Sequence, residues 1–278
     1  MAKIRGLIRF FFVRLKFFFT VNWVKTIYIN IKTQTFSNAI KFPIIVYGRI
    51  KIFALKGDII IKEPIKFGMV QLGKDMDHMP ISSSPVKLRI EGDLEVFGQL
   101  IINSGAVIEV LNGSVLRLGK YCIICSGVFL KSENLIEIGK NTRITSGCFV
   151  MDTNMHSVRD VNTGSVRKRY EPILIGSHCW VAMNSTILKG TKLPTGTVVG
   201  RNSFLNRDYT QVCEEYSMIV GNPAIVRAKN IQRVWSLKDE EKIRDYFNNN
   251  LDEEQCFMGK GVIDYSDEEL EYDFKIFY

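Results

Sequence analysis

Between Ile175 and Leu205 an aliphatic residue recurs at every sixth position: Ile175, Val181, Ile187, Leu193, Val199 and Leu205. An α-helix repeats its faces every 3.6 residues and a strand every 2, so neither produces this spacing over such a length. Four places after the aliphatics come small or compact residues: Cys179, Ser185, Thr191, Thr197 and Ser203. The pattern predicts a three-sided coil of short parallel strands, with one side chain per side pointing into a narrow prism. That fold is a parallel β-helix.

The same phase runs backwards through Ile138, Ile144 and Val150, then Leu118, Ile124 and Leu130, then Ile90, Val96, Ile102 and Ile108. Three intervals break it: Ile108 to Leu118, Leu130 to Ile138, and Val150 to Ile175. Counting sides consistently puts all three at the same corner of the prism. Insertions in a solenoid emerge as loops and gather on one working face. The longest opens at His156, which directs the search for chemistry there.

Length and composition fit one main domain with appendages, because 278 residues with 46% apolar content can bury a sizeable core. The reading divides the chain into an amino-terminal segment (1–57), a coil (58–228) with an extruded loop (157–172), and a carboxy-terminal helix and acidic tail (229–278). Of the six cysteines, Cys122, Cys148 and Cys179 occupy the compact position of the repeat, and Cys122-x-x-Cys125 has no second pair. Reduced, structural thiols in a cytosolic protein are expected, and no metal site.

Charge is uneven beneath the net +8: the first 57 residues hold eleven Lys/Arg and no Asp or Glu, and the last 50 hold thirteen acids against seven bases. Phe10, Phe11, Phe12, Phe17, Phe18 and Phe19 are interleaved with Arg9, Arg14 and Lys16. These cations interrupt any run long enough for a spanning helix or a signal peptide. Two readings of this segment stand together. Residues 1–24 form a basic, aromatic contact with the inner face of a membrane, or the Phe residues cap the open end of the coil. No nucleic-acid motif accompanies the charge. Near the other end, Ser236 followed by acids predicts a helix start. Leu237, Ile243, Tyr246 and Phe247 would turn toward the coil, and the acidic tail beyond Asn250 carries no functional signal.

The run Ile175-Gly-Ser-His-Cys-Trp180-Val-Ala-Met183-Asn, then Ile187-Leu-Lys-Gly190, Val199-Gly200 and Ile219-Val-Gly-Asn-Pro223-Ala, resembles the closing coils of bacterial hexapeptide-repeat acyltransferases. Met151-Asp152-Thr-Asn154-Met-His156 and the following loop match where that family carries its catalytic histidine. The resemblance covers about residues 85 to 228. It implies a left-handed coil, a homotrimer with three sites between subunits, and acetyl-coenzyme A as acyl donor. His156 is the implied general base, because a neutral imidazole can accept the proton of an attacking sugar hydroxyl. Asp152 would orient that imidazole or bind the acceptor, unless it is an ordinary turn aspartate. The backbone N–H of Met183 would be the oxyanion donor. Trp180 would flank the pantetheine, and Arg201, Arg207, Pro223 and Arg227 would contact coenzyme A. Ile225 stands where the family usually has a cation, and Ser126 and Gly127 where some members place an asparagine.

The resemblance implies an O-acetyltransferase acting on a sugar, a nucleotide sugar or a lipid-linked oligosaccharide, in cell-envelope polysaccharide synthesis. An N-acyltransferase of an amino-sugar nucleotide needs the same base and donor, and a β-helical scaffold needs neither. His178 is expected to lie exposed at a corner and His78 in a loop before the regular coils. Neither supplies the close histidine pair of a β-helical carbonic anhydrase.

Overall fold

The computed structural model describes residues 18–74 and 82–276. The expectations for Phe10, Phe11, Phe12, Phe17 and His78 fall outside them. Its strands form three sheets of nine, seven and six strands that the chain visits in turn, parallel throughout except for the antiparallel last strand of the nine. This is the parallel β-helix that the spacing predicts. Val96, Leu118, Ile138, Ile175 and Leu193 stack in register on the six-stranded sheet. Ile102, Ile124, Ile144, Val181 and Val199 do so on the nine-stranded sheet, and Ile108, Leu130, Val150, Ile187 and Leu205 on the seven-stranded one. All fifteen are buried. Each such side chain contributes roughly 1.5–3 kcal/mol by leaving water, which makes the stack the main stabilising element.

Ile90 corrects the expected phase. It pairs with Val110, and Leu88 is the residue in register with Ile108. The interval from Leu88 to Val96 is thus a fourth interruption, at the corner between the seven- and six-stranded sheets where the other three also fall. Glycine stands at another corner, where a coil passes closely over the next. A Cβ on Gly139 would lie 2.5 Å from the Ser177 nitrogen.

Residues 1–57, set apart by charge, are not set apart in the fold. Strands Ile44–Val46 and Ile50–Leu55 already pair with Val70–Leu72 and Val86–Ile90. Composition changes along a chain without regard to strand pairing, so the coil begins earlier than the charge suggests. Ahead of it lie helices α1 (Trp23–Thr33) and α2 (Phe36–Ala39). The open strand edge is covered by α1, with its polar residues. Asn30 bonds both the nitrogen and the oxygen of Ile44, and Thr26 accepts from the Val46 nitrogen. Phe18 and Phe19, expected as a cap, are exposed. A strand edge needs hydrogen-bond partners, which phenyl rings do not provide.

The outward faces of the three sheets differ. On the six-stranded sheet, Arg117 bridges Glu95 and Glu137 at 2.9 and 3.1 Å, and Lys62 joins Glu95. That face is charged and solvated. The nine-stranded sheet is covered by the carboxy-terminal extension: Ile101, Tyr121, Ile123 and Cys125 pack against Trp235, Tyr265, Leu270 and Phe274. The expected helix α3 (Leu237–Asn249) forms with Ser236 accepting from the Asp239 nitrogen, yet it buries no residue. Only its first residue, Leu237, packs half-buried against that cluster; most of the cover comes from Trp235 and from α4 (Asp267–Ile276), inside the acidic tail. Asp267 there pairs with Lys120 and Lys140 of the coil. The seven-stranded sheet is left with an apolar outward column of Val107, Phe129, Phe149 and Phe204, broken by Thr186. Phe129 and Phe149 stack at 4.8 Å.

Five cysteines are buried and all six are free thiols. Burial pushes Cys122, Cys125 and Cys179 up to about 12 and Cys148 to about 11. Cys122, Cys148 and Cys179 donate to coil carbonyls. No helix among the described residues is long and apolar enough to cross a membrane.

Candidate active site

The chain leaves the coil after strand Phe149–Met151 and returns at Ile173–Ile175. Antiparallel bridges Thr153 to Tyr170 and Arg159 to Val166 fold the excursion back on itself. Asp160 shapes its tip by accepting from the nitrogens of Asn162 and Thr163. Glu133, on the preceding coil, fastens the base of the excursion. One of its oxygens accepts from the Arg169 Nε at 2.7 Å, and the other from the Thr153 hydroxyl. Nothing in the local sequence of Glu133 marks this role, because its partners lie about one coil later.

Met155 has a φ of +61°, a left-handed turn just before His156. The repeat alone would have carried His156 into the prism, but the histidine is exposed. Its side chain makes no hydrogen bond or ion pair among the described residues. It lines a cavity of about 420 Å³ with Asn154, Arg159, Arg167, Lys168 and Lys189. Arg169 is tied to Glu133 and Lys189 to Glu171. Arg159 and Arg167 have no acidic partner among the described residues. The cavity therefore presents an imidazole beside cations with capacity to spare. Asn154 enters the sequence reading only as part of the motif around His156, with no role of its own, and Lys189 has none either; Lys189 is two places after Ile187, where its corner alone could have pointed to it.

Asp152 does not serve His156. It is fully buried and accepts from the nitrogens of Glu133 (2.7 Å) and Asn134 (2.9 Å) and from the Ser132 hydroxyl (3.2 Å). Burial pushes its pKa up, against the pull of those donors. Both oxygens are spent on the turn of the neighbouring coil, which is the turn-aspartate alternative. Asp152→Asn should set an amide donor against one of these donors and cost about 1–3 kcal/mol of stability. We expect a lower thermal midpoint, with kcat within a few-fold of the parent wherever both are folded. A fall in kcat at unchanged stability would return Asp152 to the chemistry.

Within one subunit none of the donor candidates lines the cavity of His156. Met183 and Arg201 follow Val181 and Val199 by two places, at the corner between the nine- and seven-stranded sheets, and Ser126 and Ser146 hold the same position on earlier coils. The Met183 nitrogen donates no hydrogen bond among the described residues, although those of Ala182 and Asn184 do. The same holds of Ser146 and Arg201, so this is a property of the repeat. Arg207 lies at the loop corner, exposed, against the Tyr209 ring. Pro223 and Arg227 are exposed on the hairpin that ends the nine-stranded sheet. Trp180 is on the outward face of that sheet, where Arg233 of the carboxy-terminal extension stacks on its ring at 4.9 Å. A ligand against that ring face would have to displace Arg233. His178, expected to be exposed, is half-buried, with Nδ1 3.2 Å from the Asn141 amide and a pKa lowered by burial.

No family model matches the chain. It is 27% identical over 194 residues to a Mycobacterium tuberculosis protein named "Probable acetyltransferase Rv3034c", covering 68% of this chain and 58% of that one. It is 27% identical over 111 residues to a polysialic acid O-acetyltransferase of Neisseria meningitidis, covering 40% and 52%. The chain thus spans about half the length of these curated relatives. Among solved structures, the polySia-specific acetyltransferase NeuO aligns with a TM-score of 0.43 at 16% identity, covering 74% of this chain and 94% of that one. The chain is similar in sequence to acetyltransferases, and its coil is the β-helix that the resemblance to hexapeptide-repeat acyltransferases implies.

Proposed function

We propose that the chain is an acetyl-coenzyme A-dependent O-acetyltransferase acting on a sugar hydroxyl of a cell-envelope polysaccharide or its cytoplasmic precursor. The observation that carries this reading is the exposed, uncommitted His156 in a cavity walled by Arg159, Arg167 and Lys168. The names of the two curated relatives, one of them an O-acetyltransferase of a sugar polymer, support it. In the reaction His156 takes the proton of the sugar hydroxyl as its oxygen bonds to the acyl carbon. The carbon–sulfur bond then breaks, and the imidazolium returns the proton to the leaving thiolate. The Met183 N–H faces the developing oxyanion. Arg159 and Arg167 meet a phosphate or a sugar carboxylate on the acceptor.

The working unit in this reading is a homotrimer. His156 and Met183 belong to different corners of one prism, with the seven-stranded sheet between them, so one subunit offers two half-sites. A neighbour seated on the apolar column of that sheet would bring its donor corner to the first subunit's His156, and a threefold ring closes such a heterologous contact.

Acetyl-coenzyme A turnover against neutral sugars, amino sugars and acidic or phosphate-bearing sugars tests the proposal. Hydroxyl acceptors that carry negative charge should turn over fastest. Replacing both Arg159 and Arg167 with Ala should raise the acceptor KM roughly tenfold or more with little change in kcat, the mark of lost uniform binding. Turnover of amino sugars alone would favour N-acylation, and failure to bind acetyl-coenzyme A would leave a scaffold.

A further inference from the structure

Helix α1 is built inside out. Its coil-facing stripe is Thr26, Ile29, Asn30 and Thr33, where Thr26 and Asn30 meet the backbone of the edge strand. The opposite stripe, Val24, Ile27, Tyr28 and Ile31, also has the i, i+3, i+4, i+7 spacing of one helix face. These four residues are 77%, 43%, 48% and 66% exposed. The polar inner stripe is explained by the strand edge, which needs donors and acceptors. Nothing in the coil explains an apolar outer stripe.

The stripe does not stand alone. Phe18, Phe19, Phe36 and Ile40 are exposed around it at the same end of the coil. Lys25 and Lys32 flank it on one side of the helix, and Lys41 follows α2. The first 57 residues contain no carboxylate side chain to oppose these cations. The first carboxylate in the chain, Asp58, is exposed beside Ile59, whose oxygen accepts from Gln34 just past α1, while the stripe itself is flanked by lysines. An apolar stripe with flanking positive charge suits a partner that is apolar within and anionic at its boundary. A bilayer containing anionic lipid has that layering. Apolar side chains enter the acyl boundary while lysine stems lie along it with their ammonium groups among the headgroups.

We infer that the outer stripe of α1, with Phe18, Phe19, Phe36 and Ile40, docks the coil by its first end onto an anionic membrane surface. The test is co-sedimentation of the full chain with vesicles of phosphatidylglycerol and phosphatidylcholine, and with phosphatidylcholine alone. Binding is expected to the anionic vesicles only and should weaken as salt rises. Ile27→Asp together with Ile31→Asp should lower vesicle affinity by about tenfold or more. The thermal midpoint should stay with the parent, because Thr26 and Asn30 still hold the strand edge. Three results would overturn the inference: no binding to anionic vesicles, equal binding by the double variant, or a smaller oligomer for the variant in vesicle-free sedimentation. The last would assign the stripe to contact between copies.

Discussion

His156→Ala should lose roughly 10²–10⁴ of the acyl-transfer rate, the usual contribution of a positioned general base. The coil should not notice the change. His156 is exposed and its side chain has no partner among the described residues, so the thermal midpoint should match the parent. Acetyl-coenzyme A should bind as before, since in the proposed site its contacts come from Met183 and Arg201 and not from the imidazole. This pairs with the opposite pattern expected of Asp152→Asn, where stability falls and chemistry holds. The two variants together separate a base from a residue that merely sits near one in sequence. Turnover within a few-fold of the parent would remove His156 from the mechanism.

Phe149→Asp should abolish assembly, and with it most activity. The ring of Phe149 stacks on Phe129 in the outward column of the seven-stranded sheet, while its neighbour Val150 points into the prism. A carboxylate there leaves the inward stack untouched, so the chain should still fold as a β-helix. It would, however, put a charge into the contact that would join His156 of one copy to the donor corner of the next. Sedimentation should show a monomer, with turnover down by roughly 10² or more as the reacting groups lose their mutual positioning. A fully active monomer would refute a shared site. A trimer of normal activity would move the interface to another face.

The candidate site was only partly legible in the sequence. His156 could be found because it falls where the period of six fails, and an imidazole is poorly suited to an aliphatic prism. The loop's cations could be counted, but their availability could not. Arg169 is spent on Glu133 and Lys189 on Glu171, and those pairings depend on how coils stack. Which of its two readings Asp152 takes was hidden for the same reason, since its three donors lie at residues 132–134, one coil back.

By itself the sequence determined the prism, its hand-over from face to face, and the corner that carries insertions. Each of these follows from local spacing, because an inward position must be apolar or small whatever lies beyond the wall. Only the tertiary structure decided what lies against the outer faces. There the same residue type can serve solvent, a segment of the same chain, or another surface. Trp180 met Arg233 from more than fifty residues away, and the acidic tail became the cover of the nine-stranded sheet. An outward side chain carries no periodic constraint, so its partner is set by which surfaces folding brings together.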